Sequence, residues 1–340
     1  MQIFLASNFL VVFLGLLILA SNLAIGYFLP RINSIKLARW IAWSQLFLSA
    51  FIVNCLTWRE PAGFRMLGIC ATLFYSCKGI AHLEESYQGQ TKLSFVQWLC
   101  FALGWFGMRP EIFSVIGKEN VKPLEGVERR IFYGTKRFLM GLVFIFIAWV
   151  SSKTLNMKFS HILDIVEIHW IVSATMLIGL SLIIHFGIFN FAGAFWRQRG
   201  VDCYKLFRDP FHSKSLSEFW ARRWNLAFVQ IVMLAIYTPL FKRFGPNIAT
   251  FLGFLFTGLM HDLAISLPVK AGYGLPTLYF AIQGLMVNLE QYLDKKHKAI
   301  EEQESISFIW TMGSLILFLP LLFHEAYVRG IIWPLIGYGG

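Results

Sequence analysis

The sequence predicts an all-α fold, a polytopic transmembrane helical bundle of about nine spans plus one re-entrant or interfacial segment. Three observations carry that expectation. Hydrophobic residues make up 57% of the 340 and charged residues only 14%, whereas a soluble domain is about one quarter charged. Mean hydropathy is +0.60. The apolar residues also fall in runs long enough to cross a bilayer, which takes roughly 20 residues per helix. The short alternating segments of a transmembrane β-barrel are not evident.

In chain order the expected spans are 4–29, 40–57, 63–82, 138–151, 167–191, 225–241, 247–267, 275–292 and 306–328. The first begins Met-Gln-Ile-Phe-Leu with no basic stretch, and its apolar run to Leu29 exceeds a signal-peptide core, so it reads as a retained helix. Segment 93–107 is shorter and flanked by loops, which suits a re-entrant or interfacial piece. Spans 138–151 and 225–241 are short; they extend into their polar flanks, tilt, or lie in a protein-lined cavity. Glu84 and Glu85 begin a polar loop and read as solvated. The whole of 1–340 reads as one membrane-embedded domain, with a motif-bearing core at about 93–334.

The net charge of +11 sits between the apolar runs. Arg31, Lys36 and Arg39 mark one basic segment. Arg109, Lys118, Lys122, Arg129, Arg130, Lys136 and Arg137 mark a second, and Arg197, Arg199, Lys205, Arg208, Lys214, Arg222 and Arg223 a third. With the expected spans all three fall on one side, which the positive-inside rule makes cytoplasmic, and the N-terminus lies outside. Lys295, Lys296 and Lys298 then fall outside, against the rule. Anionic lipid headgroups account for this placement without nucleic acid as a partner. The location is an integral, multi-pass one, in a bacterial inner membrane or the endoplasmic reticulum. The five cysteines form no C-x-x-C pair and read as small hydrophobes.

Two stretches carry chemistry. In Ser-Leu-Ser-Glu-Phe-Trp-Ala-Arg-Arg-Trp-Asn, 215–225, Ser215 and Glu218 fit a helix-starting capping box. Glu218 and Arg222 stand four apart, as a helical ion pair requires. Phe219, Trp220 and Trp224 form an aromatic side. Arg222 and Arg223 suit the phosphates of lipid headgroups. Asn225 stands at the mouth of an apolar run, where an amide needs partners. In 247–268 the apolar run is broken by His261. An ionisable group at membrane depth requires a partner or a function. Gly258 and Thr257, three and four residues before it, are small and leave room beside the imidazole. A packed structural histidine and a reactive one both remain open at this point. His82, His169, His185 and His324 also lie in or near apolar spans. Metal-ligand spacing is absent, so no metal is expected. His324 and Glu325 suit helix packing or an interface contact. Neither a nucleophile elbow nor a phosphate-binding glycine loop is present, which argues against a serine hydrolase and a nucleotide-driven pump.

With Asn225 and His261 both in view, the chain resembles the membrane-bound O-acyltransferase (MBOAT) superfamily, in its wax synthase-like (long-chain-alcohol O-fatty-acyltransferase) branch. The likeness is strongest in Ser215–Asn225 and continues through Phe254–Asp262, where the family holds its catalytic histidine in a G-L-x-H element. Trp105–Pro110 is similar to a W-P-G-M element, with Phe106 in place of its proline, and Phe323–Pro334 also matches. The resemblance implies a helical bundle enclosing a tunnel, with Asn225 and His261 as the catalytic pair. Trp220, Arg222, Arg223, Trp224, Thr257 and Gly258 are then the substrate-binding residues. It implies acyl-CoA as co-substrate with no further cofactor, a long-chain or other lipid alcohol as acceptor, and membrane lipids as surroundings. The expected reaction forms a wax-type ester, with neutral His261 as general base. Two alternatives stand beside it: acetyl or acyl transfer to a sterol, terpenoid or polysaccharide hydroxyl on the same fold, and a non-enzymatic transporter of a small amphiphile.

Overall fold

The structure is a computed structural model that describes residues 2–89, 92–158, 165–297 and 304–337. Among these, every regular element is helical. Helix α1 (Phe9–Phe28) is capped by Asn8, whose side chain accepts from the Leu10 N–H. Ser34 caps α2 (Ile35–Leu56) in the same way, and Pro61 leads into α3 (Ala62–Tyr87). The ten-residue α4 (Phe95–Gly104) starts at a full capping box of Ser94 and Gln97. Then come α5 (Val127–Lys158) and α6 (Ile165–Ser181), which passes through a π-helical stretch, Leu182–Ile188, into α7 (Phe189–Arg197). One turn, α8 (Leu216–Glu218), widens into the π-turn Phe219–Arg223. Helix α9 (Leu226–Val232), a π-stretch at Met233–Tyr237 and α10 (Thr238–Val269) follow, then α11 (Leu275–His297) and α12 (Glu304–Leu317). The end of the chain is broken into α13 (Leu319–Leu322), α14 (Glu325–Tyr327), the π-turn Val328–Ile332 and α15 (Trp333–Ile336).

Five helical runs are long and apolar enough to cross a membrane: Phe9–Arg31, Ala62–Tyr87, Val127–Thr154, His169–Arg197 and Leu226–Val269. A sixth is Ile306–Leu322 with Glu325–Ile336, bent by 67°. The sequence count of about nine is larger for identifiable reasons. Helices α2 and α11 have the length but carry polar side chains, which they bury within the bundle: Gln45, Ser49 and Asn54 on α2, Gln283 and Glu290 on α11. Span 138–151 lies inside α5 and extends into both polar flanks, as one of the expected outcomes required. The side chains of Lys295 and Lys296, and Lys298 altogether, lie outside the described residues. Glu84 is not solvated. It is 5% exposed and its carboxylate receives Arg39 Nε at 2.7 Å and Nη2 at 2.6 Å.

The run Leu226–Val269 is not one straight rod. In a straight helix Phe228 and Phe256 would stand about 42 Å apart; their rings are 6.2 Å apart. A Cβ on Gly253 would meet Val232 Cγ1 at 3.1 Å. The chain therefore reverses between them. The reversal is at Gly245 (φ 78°, ψ 177°), a backbone conformation closed to side-chain-bearing residues, and Pro246 opens the returning helix. The expected short span 225–241 is thus a limb folded antiparallel to α10.

The three basic segments are laced together. Arg31 Nη2 donates to Leu93 O at 2.8 Å, Gln97 Nε2 to Ile116 O at 2.9 Å, and the Leu124 N–H to Arg197 O at 2.9 Å. Lys78, 0% exposed, satisfies all three ammonium donors on the carbonyls of Phe101, Trp105 and Gly107 at 2.6–3.0 Å. It anchors the end of α4 and the Trp105–Pro110 loop to α3. On the opposite face, Arg65 Nη1 donates to Pro268 O at 2.7 Å and Nη2 to Leu267 O at 3.1 Å, closing the C-terminal end of α10.

Helices α10 and α11 approach closely through glycine. A Cβ on Gly258 would lie 2.6 Å from Thr277 Cα, and one on Gly284 would lie 2.9 Å from Phe254 Cβ. Gly313 on α12, by contrast, has open space where its Cβ would stand. Gly258→Ala is expected to destabilise by about 1–3 kcal/mol, the usual cost of overpacking. Gly313→Ala is expected to be neutral or to stabilise by up to about 1 kcal/mol. Thermal unfolding of the detergent-solubilised variants reads both; equal melting temperatures would contradict this packing.

Candidate active site

The signature segment is held at both ends. At its start Ser215 Oγ accepts from the Glu218 N–H at 2.9 Å, as the capping box requires. Glu218 reaches back one residue further than expected, to the Lys214 N–H at 2.7 Å. At its end the loop before it pairs with it in both directions: Arg208 N–H to Arg223 O and Leu226 N–H to Leu206 O, each 2.8 Å. In that loop burial pushes the Cys203 thiol up to about 12, consistent with an unreactive small hydrophobe.

Between these anchors the backbone turns in two unusual steps. Residues 219–223 form a π-turn, closed by the Trp224 N–H on Phe219 O at 2.9 Å, five residues back. Next Asn225 adopts the left-handed region (φ 42°, ψ 60°), which asparagine tolerates better than most residues. Its Oδ1 accepts from the Phe228 N–H at 3.3 Å and caps α9. Its side-chain NH2 has no hydrogen-bond partner among the described residues, and the residue is half-buried. With the oxygen so engaged, the group that Asn225 leaves without a partner is a donor.

His261 faces this limb from α10. Its Nδ1 lies 2.7 Å from Thr257 O. A carbonyl only accepts, so Nδ1 carries the proton and the neutral ring presents a bare lone pair at Nε2. Among the described residues that nitrogen has no hydrogen-bond partner, and the residue is half-buried. Phe280 packs against the ring with centroids 4.4 Å apart, and Phe228 meets it at 6.0 Å. Asn225 and His261 are not hydrogen-bonded to each other. Phe228 joins them, since its amide is capped by one and its ring borders the other.

Neighbouring Asp262 does not orient the imidazole. Its Oδ1 accepts from Ser266 Oγ and the Gly274 N–H, each at 2.9 Å. Its Oδ2 accepts from the Thr277 N–H at 3.1 Å and from Thr277 Oγ1. The carboxylate ties α10 to the start of α11. His324 caps α14 by accepting from the Tyr327 N–H at 3.3 Å, and it meets Ser266 Oγ at 3.2 Å, the packing role expected of it. His82, 0% exposed, stacks on Trp98 at 4.9 Å and bonds Gly26 O at 3.1 Å.

Three sequence expectations need correction. Glu218 pairs with Arg223, at 2.7 Å, not with Arg222, because the π-turn brings the fifth residue and not the fourth alongside. Burial raises the Glu218 carboxyl, but the Lys214 N–H and Arg223 outweigh that and hold it below the usual carboxylate range. Arg223 also donates to Asp209 O at 3.2 Å, so it is engaged structurally, while Arg222 is exposed. The room expected over Gly258 is filled by α11. Thr257 acts through its carbonyl, and its hydroxyl donates to Gly253 O at 2.8 Å.

Trp220 and Trp224 belong to the signature segment and pack onto its neighbours. Trp220 Nε1 donates to Gln283 Oε1 at 3.2 Å and its ring meets Phe280 at 5.5 Å. Trp224 stacks on Phe219 at 5.5 Å and meets His185 at 5.9 Å. Sequence reasoning overlooked Gln283, Glu290, Phe228 and Phe280. Glu290 stood out by the same rule that singled out His261, an ionisable residue inside an apolar helix. The aromatic neighbours carried no such signal.

Comparison with known proteins agrees with the resemblance read from the two motifs. Residues 203–282 match the sequence profile of the Membrane bound O-acyl transferase family. Over 147 residues the chain is 26% identical to Probable long-chain-alcohol O-fatty-acyltransferase 1 of Arabidopsis thaliana, covering 39% of this chain and 43% of that protein. It is 31% identical over 129 residues to Acyl-CoA--sterol O-acyltransferase 1 of the same plant, covering 34% and 37%. With the Long-chain-alcohol O-fatty-acyltransferase of Simmondsia chinensis it shares 27% over 139 residues, covering 36% and 39%. The matches span about two fifths of these relatives' length.

The two parts played by Asn225 can be separated. Asn225→Gly keeps the left-handed backbone and costs only a few tenths of a kcal/mol as a cap, whereas Asn225→Ala strains it. The glycine variant is expected to melt close to wild type yet lose ligand contact, and so turnover, as fully as the alanine variant. Wild-type turnover in Asn225→Gly would make the residue a backbone device alone.

Proposed function

We propose that this chain, whose residues 203–282 match the Membrane bound O-acyl transferase family, transfers a fatty acyl group from acyl-CoA to a lipophilic, long-chain alcohol. The observation that carries the reading is the Nε2 of His261, unpartnered among the described residues, with its tautomer fixed by Thr257. His324, which serves packing, has both of its ring nitrogens engaged instead.

In this reading the alcohol oxygen attacks the thioester carbonyl while Nε2 takes the hydroxyl proton. The C–S bond then breaks. The departing sulfur takes the proton from the imidazolium, so ester and free thiol leave and the histidine is again neutral. The Asn225 NH2 donates to the oxygen that gains negative charge in the addition, the use that a donor-only amide suits. Exposed Arg222 is the cation available to acyl-CoA phosphates, since Arg223 is engaged by Glu218. Trp220 and Trp224 form the apolar lining through which acyl chain or alcohol passes. Membrane lipids surround the bundle.

The curated relatives named for long-chain alcohols favour a wax-type ester as product, and the one named for sterols makes a sterol the second acceptor to try. Purified protein given labelled acyl-CoA with a panel of long-chain alcohols and sterols is expected to form ester and release free thiol. Loss of a general base typically lowers rates by about 10²–10⁴, and His261→Ala is expected to fall in that range while remaining folded. A folded His261→Ala at wild-type turnover would remove the histidine from the mechanism. Substrate flux into liposomes without ester would replace the enzyme by a transporter.

A further inference from the structure

Glu290 is an acidic residue on α11 with 0% exposure. Its Oε2 accepts from the Leu216 N–H at 2.8 Å and from Trp310 Nε1 at 2.9 Å, and its Oε1 accepts from the Ser217 N–H at 2.8 Å. Leu216 and Ser217 open the helical limb that leads to Asn225. The first N–H groups of a helix have no acceptor of their own, and a buried carboxylate is stable only when donors surround it. Each satisfies the other. Gln291 adds Nε2 to Ser217 Oγ at 3.3 Å.

The position of Glu290 along α11 gives this contact a consequence. Thr277 holds Asp262, Phe280 packs on His261, Gln283 receives Trp220, and Glu290 receives Leu216 and Ser217. These residues follow helical spacing and form one stripe. Phe280 and Glu290 are about 15 Å apart along the axis. One helix thus contacts both the start of this segment and the histidine. The segment that ends at Asn225 is thus anchored at its start on the same helix that packs against the histidine.

We propose that Glu290 is a positioning residue for the acyl transfer: by accepting the first two N–H groups of the limb it holds the Asn225 amide in register with His261 Nε2. The inference rests on the roles given to Asn225 and His261 above. Glu290→Gln replaces one acceptor oxygen by an NH2, so a donor faces a donor and the limb must shift. A shift on the order of 1 Å at a reacting centre costs up to about 10²-fold in rate.

The test is a double-mutant cycle on the reconstituted full chain, comparing wild type, Glu290→Gln, Asn225→Gly and the double variant. In the otherwise wild-type chain, Glu290→Gln is expected to lower kcat about tenfold or more, with KM for acyl-CoA unchanged within about twofold. In the Asn225→Gly background the same change is expected to cost less than about twofold, because the amide it positions is gone. A merely structural Glu290 would cost the same factor in both backgrounds, and that result overturns the proposal, as does a folded Glu290→Gln at wild-type kcat. If thermal unfolding shows that Glu290→Gln does not fold, Glu290→Asp takes its place in the cycle. It keeps the charge and draws the limb back by about one bond length, 1.5 Å. Absence of ester from the wild-type chain sinks the acyl-transfer reading and this one together; ester from wild type with additive losses sinks this one alone.

Discussion

The site depends first on one hydrogen bond, from His261 Nδ1 to Thr257 O at 2.7 Å within α10. It fixes the tautomer, so the lone pair is at Nε2, and it locks the ring's rotation so that this lone pair has one direction. A histidine in an apolar helix without that bond could carry its proton on either nitrogen. The carbonyl four residues back decides between them. Any ligand that uses the ring as a base approaches Nε2.

The rest of the fold gives that direction something to face. Helix α11 packs against α10 at the distance Gly258 permits, is joined to it at the top by Asp262, and supports the imidazole with Phe280. The reversal at Gly245 returns α9 alongside α10, which carries Phe228 to the histidine and Asn225 to the end of the limb. The left-handed turn at Asn225 then frees an NH2 group while its oxygen caps the helix. Backbone strain of this kind is found where a fixed arrangement is needed more than local stability. Among the described residues four π-helical stretches interrupt the helices, and two of them flank Asn225, at Phe219–Arg223 and Met233–Tyr237.

Much of this was legible in the residues themselves. Long apolar runs marked α1, α3, α5 and the α6–α7 run, and Ser215 marked the start of the signature limb. Span 225–241 was legible as too short. The reason it was short, an antiparallel return, depended on contacts between residues far apart in sequence. Ion pairing within the limb was misjudged because a regular helix was assumed where a π-turn forms, which moves the partner from Arg222 to Arg223. Gly258 suggested a void when read alone, but a missing side chain equally admits another helix, and Thr277 occupies that space. Glu290 and Lys78 are solved by long-range partners, donors for the one and carbonyls for the other, which no local pattern announces.

The central claim, that His261 Nε2 takes the proton of an acceptor alcohol, is tested most directly by a structure of the chain with a non-reactive thioether analogue of acyl-CoA and a long-chain alcohol. The account predicts the alcohol oxygen within about 3 Å of Nε2, the distance a general base requires, with the analogue's reacting centre beside the Asn225 amide. Both molecules seated away from α10, with the imidazole touching neither, would contradict it.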